Sequence, residues 1–143
     1  MIYCFSGTGN SRYVARTLAT LLGEDIIEIG SSPAASVPVG DDGLTVWVFP
    51  IHSWGLPKVV ERFVESQPRI GGRHYMVCTC GDDAGLAHEQ WRGLIRRYHG
   101  RPQGTFSVPM PNTYVALPGF DVDAPAVEEE KLAQAEALSL RHI

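Results

Sequence analysis

Near the amino end, Ser6-Gly7-Thr8-Gly9-Asn10-Ser11 gathers three hydroxyls, one amide and two glycines with no charged side chain. The stretch follows the apolar run Met1-Ile2-Tyr3-Cys4-Phe5 and precedes a helical pattern. A loop of this composition, between a strand and a helix, can hold a phosphate without a cation. Backbone N–H groups at a helix N-terminus point at the anion, and the helix dipole favours negative charge there. Glycines let the backbone approach closely, and hydroxyls donate directly to phosphate oxygens. Hydrolytic readings of the loop fail on spacing. The G-x-x-x-x-G-K-[ST] pattern and its Lys are missing, and G-x-G-x-x-G is broken by Arg12. A Cys–Arg phosphatase loop needs C-x5-R, but the sixth residue after Cys4 is Asn10. Cys4 therefore reads as a small buried hydrophobe.

Two further loops have unusual composition. In Pro50-Ile51-His52-Ser53-Trp54-Gly55-Leu56-Pro57 a Trp sits in a polar, glycine-containing turn. Its flat face suits stacking on a planar ligand; the competing reading is a hydrophobic plug between loop and helix. His52 reads as an exposed or backbone-bonded loop residue rather than a proton donor. Thr79-Cys80-Gly81-Asp82-Asp83-Ala84-Gly85 carries two adjacent aspartates, which either border a ligand or cap the helix that follows. Cys78 and Cys80 share a strand face but lack a Cys pair or a His at zinc spacing, so no metal site is expected.

The elements that must position these loops alternate. Residues 2–5, 25–29, 44–49, 74–80 and 104–110 read as strands, and 11–22, a segment from about Pro57, 87–98 and 124–141 as helices. Val14, Leu18, Leu21 and Leu22 fall on one face of the first helix. Leu44 to Phe49 is a near-continuous apolar run, as a parallel strand buried on both faces requires. Pro109 removes a ladder hydrogen bond, which places the last strand at a sheet edge. Residues 30–43 and 111–123 read as irregular, and Asp123 as a cap for the last helix. Strands alternating with helices predict a doubly wound α/β fold with a five-stranded parallel sheet and helices on both faces. Ligands of such sheets bind beyond the carboxyl ends of the strands, where all three loops emerge.

The pattern Ser6-Gly7-Thr8-Gly9-Asn10-Ser11 closely resembles the [ST]-x-T-G-x-[ST] phosphate loop of flavodoxins. Trp54-Gly55 is similar to the aromatic–glycine pair that follows the third strand in that family, and the 79–85 loop resembles its other flavin-enclosing loop. The resemblance spans essentially the whole chain, 1–143, as a single domain, and implies sheet order 2-1-3-4-5 and one noncovalently bound FMN. It implies cofactor contacts from Ser6, Gly7, Thr8, Gly9, Asn10 and Ser11 to the phosphate. Further contacts come from Pro50, Ile51, His52, Ser53, Trp54 and Gly55, and from Thr79, Cys80, Gly81, Asp82 and Gly85. In the family the aromatic ring stacks on the isoalloxazine. The next peptide turns to accept a hydrogen bond from reduced N5, which glycine permits because positive φ costs it little. Asp82 and Asp83 would oppose negative charge on the reduced flavin. Phe49 to Pro57 and Met110-Pro111-Asn112-Thr113-Tyr114 look like the flavodoxin module of flavodoxin–ferredoxin fusion proteins. Ile143 arrives without the C-x2-C-x2-C runs of their iron–sulfur domain, so the protein works alone or is a shortened form of a longer one. Many flavodoxins carry a second aromatic in the third loop. Residues 80–86 hold none, and Tyr114 or Phe120 could fold over instead.

Composition bounds the partners. The chain has 143 residues and a formal net charge of −4, which argues weakly against nucleic acid and anionic membranes. No signal peptide and no membrane-crossing run is expected. Three cysteines, all in predicted strands, fit a reducing, cytoplasmic setting. The reading is electron transfer between redox partner proteins, ferredoxin or another iron–sulfur protein among them, with no catalytic side-chain constellation. Two alternatives stand beside it: an FMN-dependent NAD(P)H/quinone-type reductase, and a flavodoxin-fold binding module that has lost FMN.

Overall fold

The computed structural model describes residues 1–30, 43–113 and 121–141. Among the described residues nine elements follow one another: β1 (Ile2–Cys4), α1 (Asn10–Leu22), β2 (Ile26–Glu28), β3 (Leu44–Pro50), α2 (Lys58–Glu65), β4 (Arg73–Cys80), α3 (Ala87–Arg97), β5 (Arg101–Pro109) and α4 (Pro125–Arg141). The strands form one parallel sheet in the order β2-β1-β3-β4-β5, as expected from the alternation and the resemblance.

Each strand feeds two cores because successive side chains point to opposite faces. Tyr3, Trp47, Phe49, Met76 and Cys78 face α2 and α3 and pack with Val60, Phe63, Val64, Trp91, Leu94 and Ile95. Ile2, Cys4, Val46, Val48, Val77 and Val108 face the other way, onto Val14, Ala15 and Leu18 of α1 and Ala135 of α4. The first core is aromatic: Tyr3 stacks on Trp47 with ring centroids 5.0 Å apart, and Phe63 closes on both. Trp91 Nε1 in this core is buried without a hydrogen-bond partner among the described residues, but the polar edge of Trp47 is satisfied. Trp47 Nε1–H donates to His74 Nδ1 at 3.0 Å, and His74 Nε2 meets the Gly71 carbonyl at 2.7 Å. That pairing requires a neutral ring with its proton on Nε2, and burial lowers the His74 pKa accordingly.

The structure departs from the sequence expectations in three places. Leu21 is 46% exposed, because the buried stripe of α1 runs through Val14, Ala15 and Leu18 to the partly buried Ala19 and Leu22. The last strand begins at Arg101 rather than 104. Pro102 and Gly104 break its alternation, and the register shifts between His74 and Tyr75, but only one side of an edge strand must pair. Asp123 does not cap the start of α4: its carboxylate accepts from Asn112 N–H at 2.9 Å and from Lys131 Nζ, further along α4, at 2.6 Å. Most of the predicted 30–43 loop, together with Tyr114 and Phe120, lies outside the described residues.

Candidate functional site

Four segments meet beyond the carboxyl ends of the strands. Phe5 N–H donates to Val48 O, Ile51 N–H to Thr79 O and Met110 N–H to Cys80 O, each at 2.9 Å. These bonds set the loops after β1, β3, β4 and β5 side by side. Side chains then stitch them together. Ser11 Oγ and Thr79 Oγ1 pair at 2.7 Å in the interior, Asn10 Nδ2 donates to Pro111 O at 3.0 Å, and Phe5 meets the His52 ring edge-on at 5.8 Å.

The first loop ends in a helix start with no side-chain cap. Gly9, at φ 110°, is a conformation only glycine adopts readily, and no side chain reaches the first-turn N–H groups as a capping bond. Ser6 Oγ accepts from Gly9 N–H at 3.1 Å, which leaves its own O–H to donate elsewhere. Gly7 and Thr8 are exposed, with no atom within 4 Å of where a Gly7 side chain would begin. Thr113 Oγ1 approaches Thr8 Oγ1 at 3.5 Å. Arg12 is tied to Glu28 at 2.7 Å, so the loop presents neutral donors. Ser11 and Thr79 are buried and spend their hydroxyls on each other.

The second loop is a two-residue hairpin. His52 and Gly55 exchange both backbone bonds, at 3.1 and 3.0 Å, around Ser53 and Trp54. Such a turn needs positive φ at both central residues. Ser53 stands at φ 48° and Trp54 at φ 60°. The left-handed strain therefore falls on these two and not on Gly55, where the aromatic–glycine pattern had suggested it. Left-handed non-glycine residues cost about 1–3 kcal/mol each and persist only when the surroundings over-determine them. Here they do. Leu56 is buried and its N–H donates to Gln90 Oε1 at 3.0 Å, while Trp54 O accepts from Leu86 N–H at 2.9 Å. A side chain on Gly55 would begin 2.8 Å from Gln90 Oε1, and one on Gly85 only 2.5 Å from Trp54 Cβ. Gln90 and Gly85 thus press the hairpin into place from α3 and the third loop. The strain is held so that Trp54 stands 60% exposed, which excludes the hydrophobic-plug reading. His52 is exposed and bonded through its backbone.

The third loop does not cap α3 with its aspartates. Leu86 occupies the N-cap without a side-chain bond, and Asp83 Oδ1 accepts from Gly85 N–H at 3.0 Å. Asp82 and Asp83 are exposed. Cys80 is buried and its thiol donates to Asp82 O at 3.7 Å; burial, then Asp83 and Asp82, push its pKa up to about 11. Lys131 reaches across from α4 to the Gly81 carbonyl at 3.1 Å. Gln90 and Lys131 are positioning residues that no spacing pattern identified. A groove of about 380 Å³ lies on the flank between α2 and α3, touching the site only through Leu56 and Gln90.

The donor set fits an anion at the head of α1 and a flat ring beside Trp54. Among the described residues no group of three or more His, Cys, Asp or Glu side chains could hold a metal.

No family model and no curated protein matches the chain. Solved structures do. The two-electron reduced flavodoxin of Megasphaera elsdenii superposes with a TM-score of 0.57 at 21% identity, over 96% of this chain and 98% of that one. A flavoprotein in complex with FMN from Lactobacillus acidophilus NCFM gives 0.59 at 9% identity, over 74% and 90%. The azoreductase of Bacillus anthracis str. Sterne gives 0.53 at 8%, over 96% and 97%. The chain has the flavodoxin fold, and its structural neighbours are flavodoxins and flavodoxin-like flavoproteins.

Proposed function

We propose that this chain binds one FMN and carries electrons between partner proteins as a flavodoxin-like domain. The observation that carries the reading is the exposed, left-handed Trp54 at the same end of the sheet as an uncapped helix N-terminus. Nothing in core packing rewards that arrangement, whereas a planar ligand with an anionic tail uses both halves. The FMN complex among the structural neighbours supports the choice of cofactor.

Thr8 and Ser6 donate hydroxyls to the phosphate, and the backbone of Gly7, Gly9, Asn10 and Ser11 supplies N–H groups. Ser11 acts through its backbone because its hydroxyl is spent on Thr79. Trp54 covers one ring face. Pro50, Ile51, His52, Ser53 and Gly55 shape the wall beside it, and Thr79, Cys80, Gly81, Asp82 and Gly85 border the ring edge. When bound, FMN supplies one- or two-electron redox chemistry, and the protein supplies position and electrostatics. Asp82 and Asp83 resist added negative charge and present an acidic rim to any basic surface on a partner; the redox partner is ferredoxin or another iron–sulfur protein. The three free cysteines are buried, which fits a reducing, cytoplasmic setting. No helix among the described residues is long and apolar enough to cross a membrane.

A second reading, a reductase acting on a quinone-type acceptor, is favoured by the lack of an aromatic in residues 80–86, so that this loop supplies no cover for the outer ring face. Steady-state assays separate the two. A carrier oxidises NAD(P)H slowly in isolation, accepts electrons rapidly from a reduced partner protein and passes them rapidly to an oxidised one. Fast NAD(P)H oxidation with a small quinone would overturn the carrier reading.

A further inference from the structure

The least exposed ion pair among the described residues lies beside the third loop. Lys131 and Asp123 meet at 2.6 Å with 18% and 20% of their side chains exposed. Each has a second partner. Asp123 Oδ2 also accepts from Asn112 N–H at 2.9 Å, and Lys131 Nζ also donates to the Gly81 carbonyl at 3.1 Å. Lys131 thus ties α4 to the third loop and, through Asp123, to the segment after β5. That segment is tied in turn to the first loop, because Asn10 Nδ2 donates to Pro111 O. An ordinary surface ion pair needs none of these contacts, and the contacts assigned to FMN above make no use of the cation.

The bond to Gly81 decides what the other side of that peptide does. The peptide to Asp82 is trans, so its carbonyl and N–H lie in one plane and point in opposite directions. With the carbonyl held toward α4, the Asp82 N–H is turned away from α4. It finds no backbone acceptor among the described residues, and Gly81 and Asp82 are both exposed. On the FMN reading above, this loop borders the ring edge. Resting on that reading, we propose that Lys131 is a positioning residue for reduction of the flavin. It holds and polarises the Gly81 carbonyl, which makes the Asp82 N–H a stronger donor to the polar edge of the ring. That donor favours the electron-rich, reduced flavin over the oxidised one.

Polarisation passes along the amide. A charged donor at the carbonyl draws density from the nitrogen, and linked hydrogen bonds strengthen one another by about 10–30% each. The effect is local. At a distance Asp123 offsets the charge of Lys131, so what reaches a ring beyond the loop is chiefly the bond to Gly81. Close to the loop the cation is felt directly: burial, then Asp83 and Asp82, raise the Cys80 pKa, and Lys131 lowers it. Asp82 and Asp83 oppose added electrons. Lys131 works against them from α4. A purely structural clip would act differently, because loosening the loop weakens oxidised and reduced FMN alike.

The test is the two-electron midpoint potential of FMN bound to the full chain. Wild type is compared with Lys131→Met, with Asp123→Asn, and with the charge-balanced variant that carries both. The midpoint reads the ratio of affinities for reduced and oxidised FMN, so equal weakening of both leaves it unmoved. In the balanced variant reduced FMN should lose about tenfold more affinity than oxidised FMN, which lowers the midpoint by about 30 mV. Lys131→Met alone should lower it further, because Asp123 is left unpaired, and that extra drop should shrink at high salt. Asp123→Asn keeps the bond to Gly81 and leaves the cation unpaired, so it should raise the midpoint. Without FMN, the amide signal of Asp82 in a nitrogen–proton NMR spectrum should move upfield in Lys131→Met. An unmoved midpoint in the folded balanced variant overturns the proposal, and so does an unmoved Asp82 amide. If the balanced variant fails to fold, a lowered midpoint in Asp123→Asn overturns it instead. These results leave FMN binding itself standing, whereas a wild type that takes up no FMN overturns the FMN reading and this inference with it.

Discussion

Gly85 offers the sharpest test of how the tryptophan hairpin is held. Its φ of +56° is left-handed, and a methyl group there would lie 2.5 Å from Trp54 Cβ and 2.6 Å from Trp54 O. In Gly85→Ala the left-handed backbone costs roughly 1–2 kcal/mol. The methyl meets backbone, which cannot rotate aside, and forced overpacking adds about 1–3 kcal/mol. The sum is about 2–5 kcal/mol, taken as lost stability if the hairpin stays and as a displaced Trp54 if it moves. Denaturant unfolding measures the first. Titration of FMN, followed by flavin fluorescence, measures the second, with inorganic phosphate as a control ligand. Stability should fall by at least about 2 kcal/mol, or FMN affinity by at least tenfold, which is about 1.4 kcal/mol. Phosphate binding should stay unchanged. Gly93→Ala, on α3 with nothing within 4 Å of its added methyl, serves as the comparison and should be neutral or stabilising by up to about 1 kcal/mol. A Gly85→Ala protein with wild-type stability and wild-type FMN affinity would refute the reasoning that the third loop braces the hairpin.

Other predictions follow from single contacts. Thr8→Ala should weaken FMN binding by about 1–3 kcal/mol through a lost charge-assisted bond, with little change in fold stability because Thr8 is exposed; unchanged affinity counts against a phosphate role. Trp54→Ala should weaken binding of riboflavin and FMN but not of phosphate, and an equal loss for all three would show that stacking is not its task. His74 should make stability depend on pH. Its folded pKa is lowered by burial, so its contribution is complete above the unfolded value of about 6.5 and declines as pH falls below that, by up to about 1.4 kcal/mol per unit. Urea unfolding between pH 8 and 5 should show the gap between wild type and His74→Gln narrowing toward acid; a constant gap would mean that His74 is not held neutral against Trp47.

The parts of this fold that were legible in the sequence are those in which neighbours along the chain decide the outcome. Leu44 to Phe49 had to be a doubly buried strand because no polar residue but Thr45 interrupts it, and Thr45 is itself buried. The glycine–hydroxyl loop before Asn10 had to be a turn into a helix. What was not legible depends on partners far along the chain. Nothing near Trp54 announces that Gln90, 34 residues beyond Leu56, will pin that loop. The two-residue bridge between His52 and Gly55 moved the strain to Ser53 and Trp54, although glycine is the residue that tolerates it most cheaply. The hydroxyl of Ser11 fits a phosphate-loop pattern as well as its neighbours do, and only the packing of α1 on β4 turns it inward to Thr79. Lys131 and Gly81 are 50 residues apart, and their meeting requires α4 to lie against the third loop.

The central claim, that an uncapped helix start and an exposed left-handed tryptophan together form an FMN site, is tested most directly by the absorption spectrum of the purified protein before and after adding FMN and removing the excess. The account predicts flavin bands at one FMN per chain, perturbed from those of free FMN by contact with Trp54. A protein that stays colourless after incubation with FMN would contradict it.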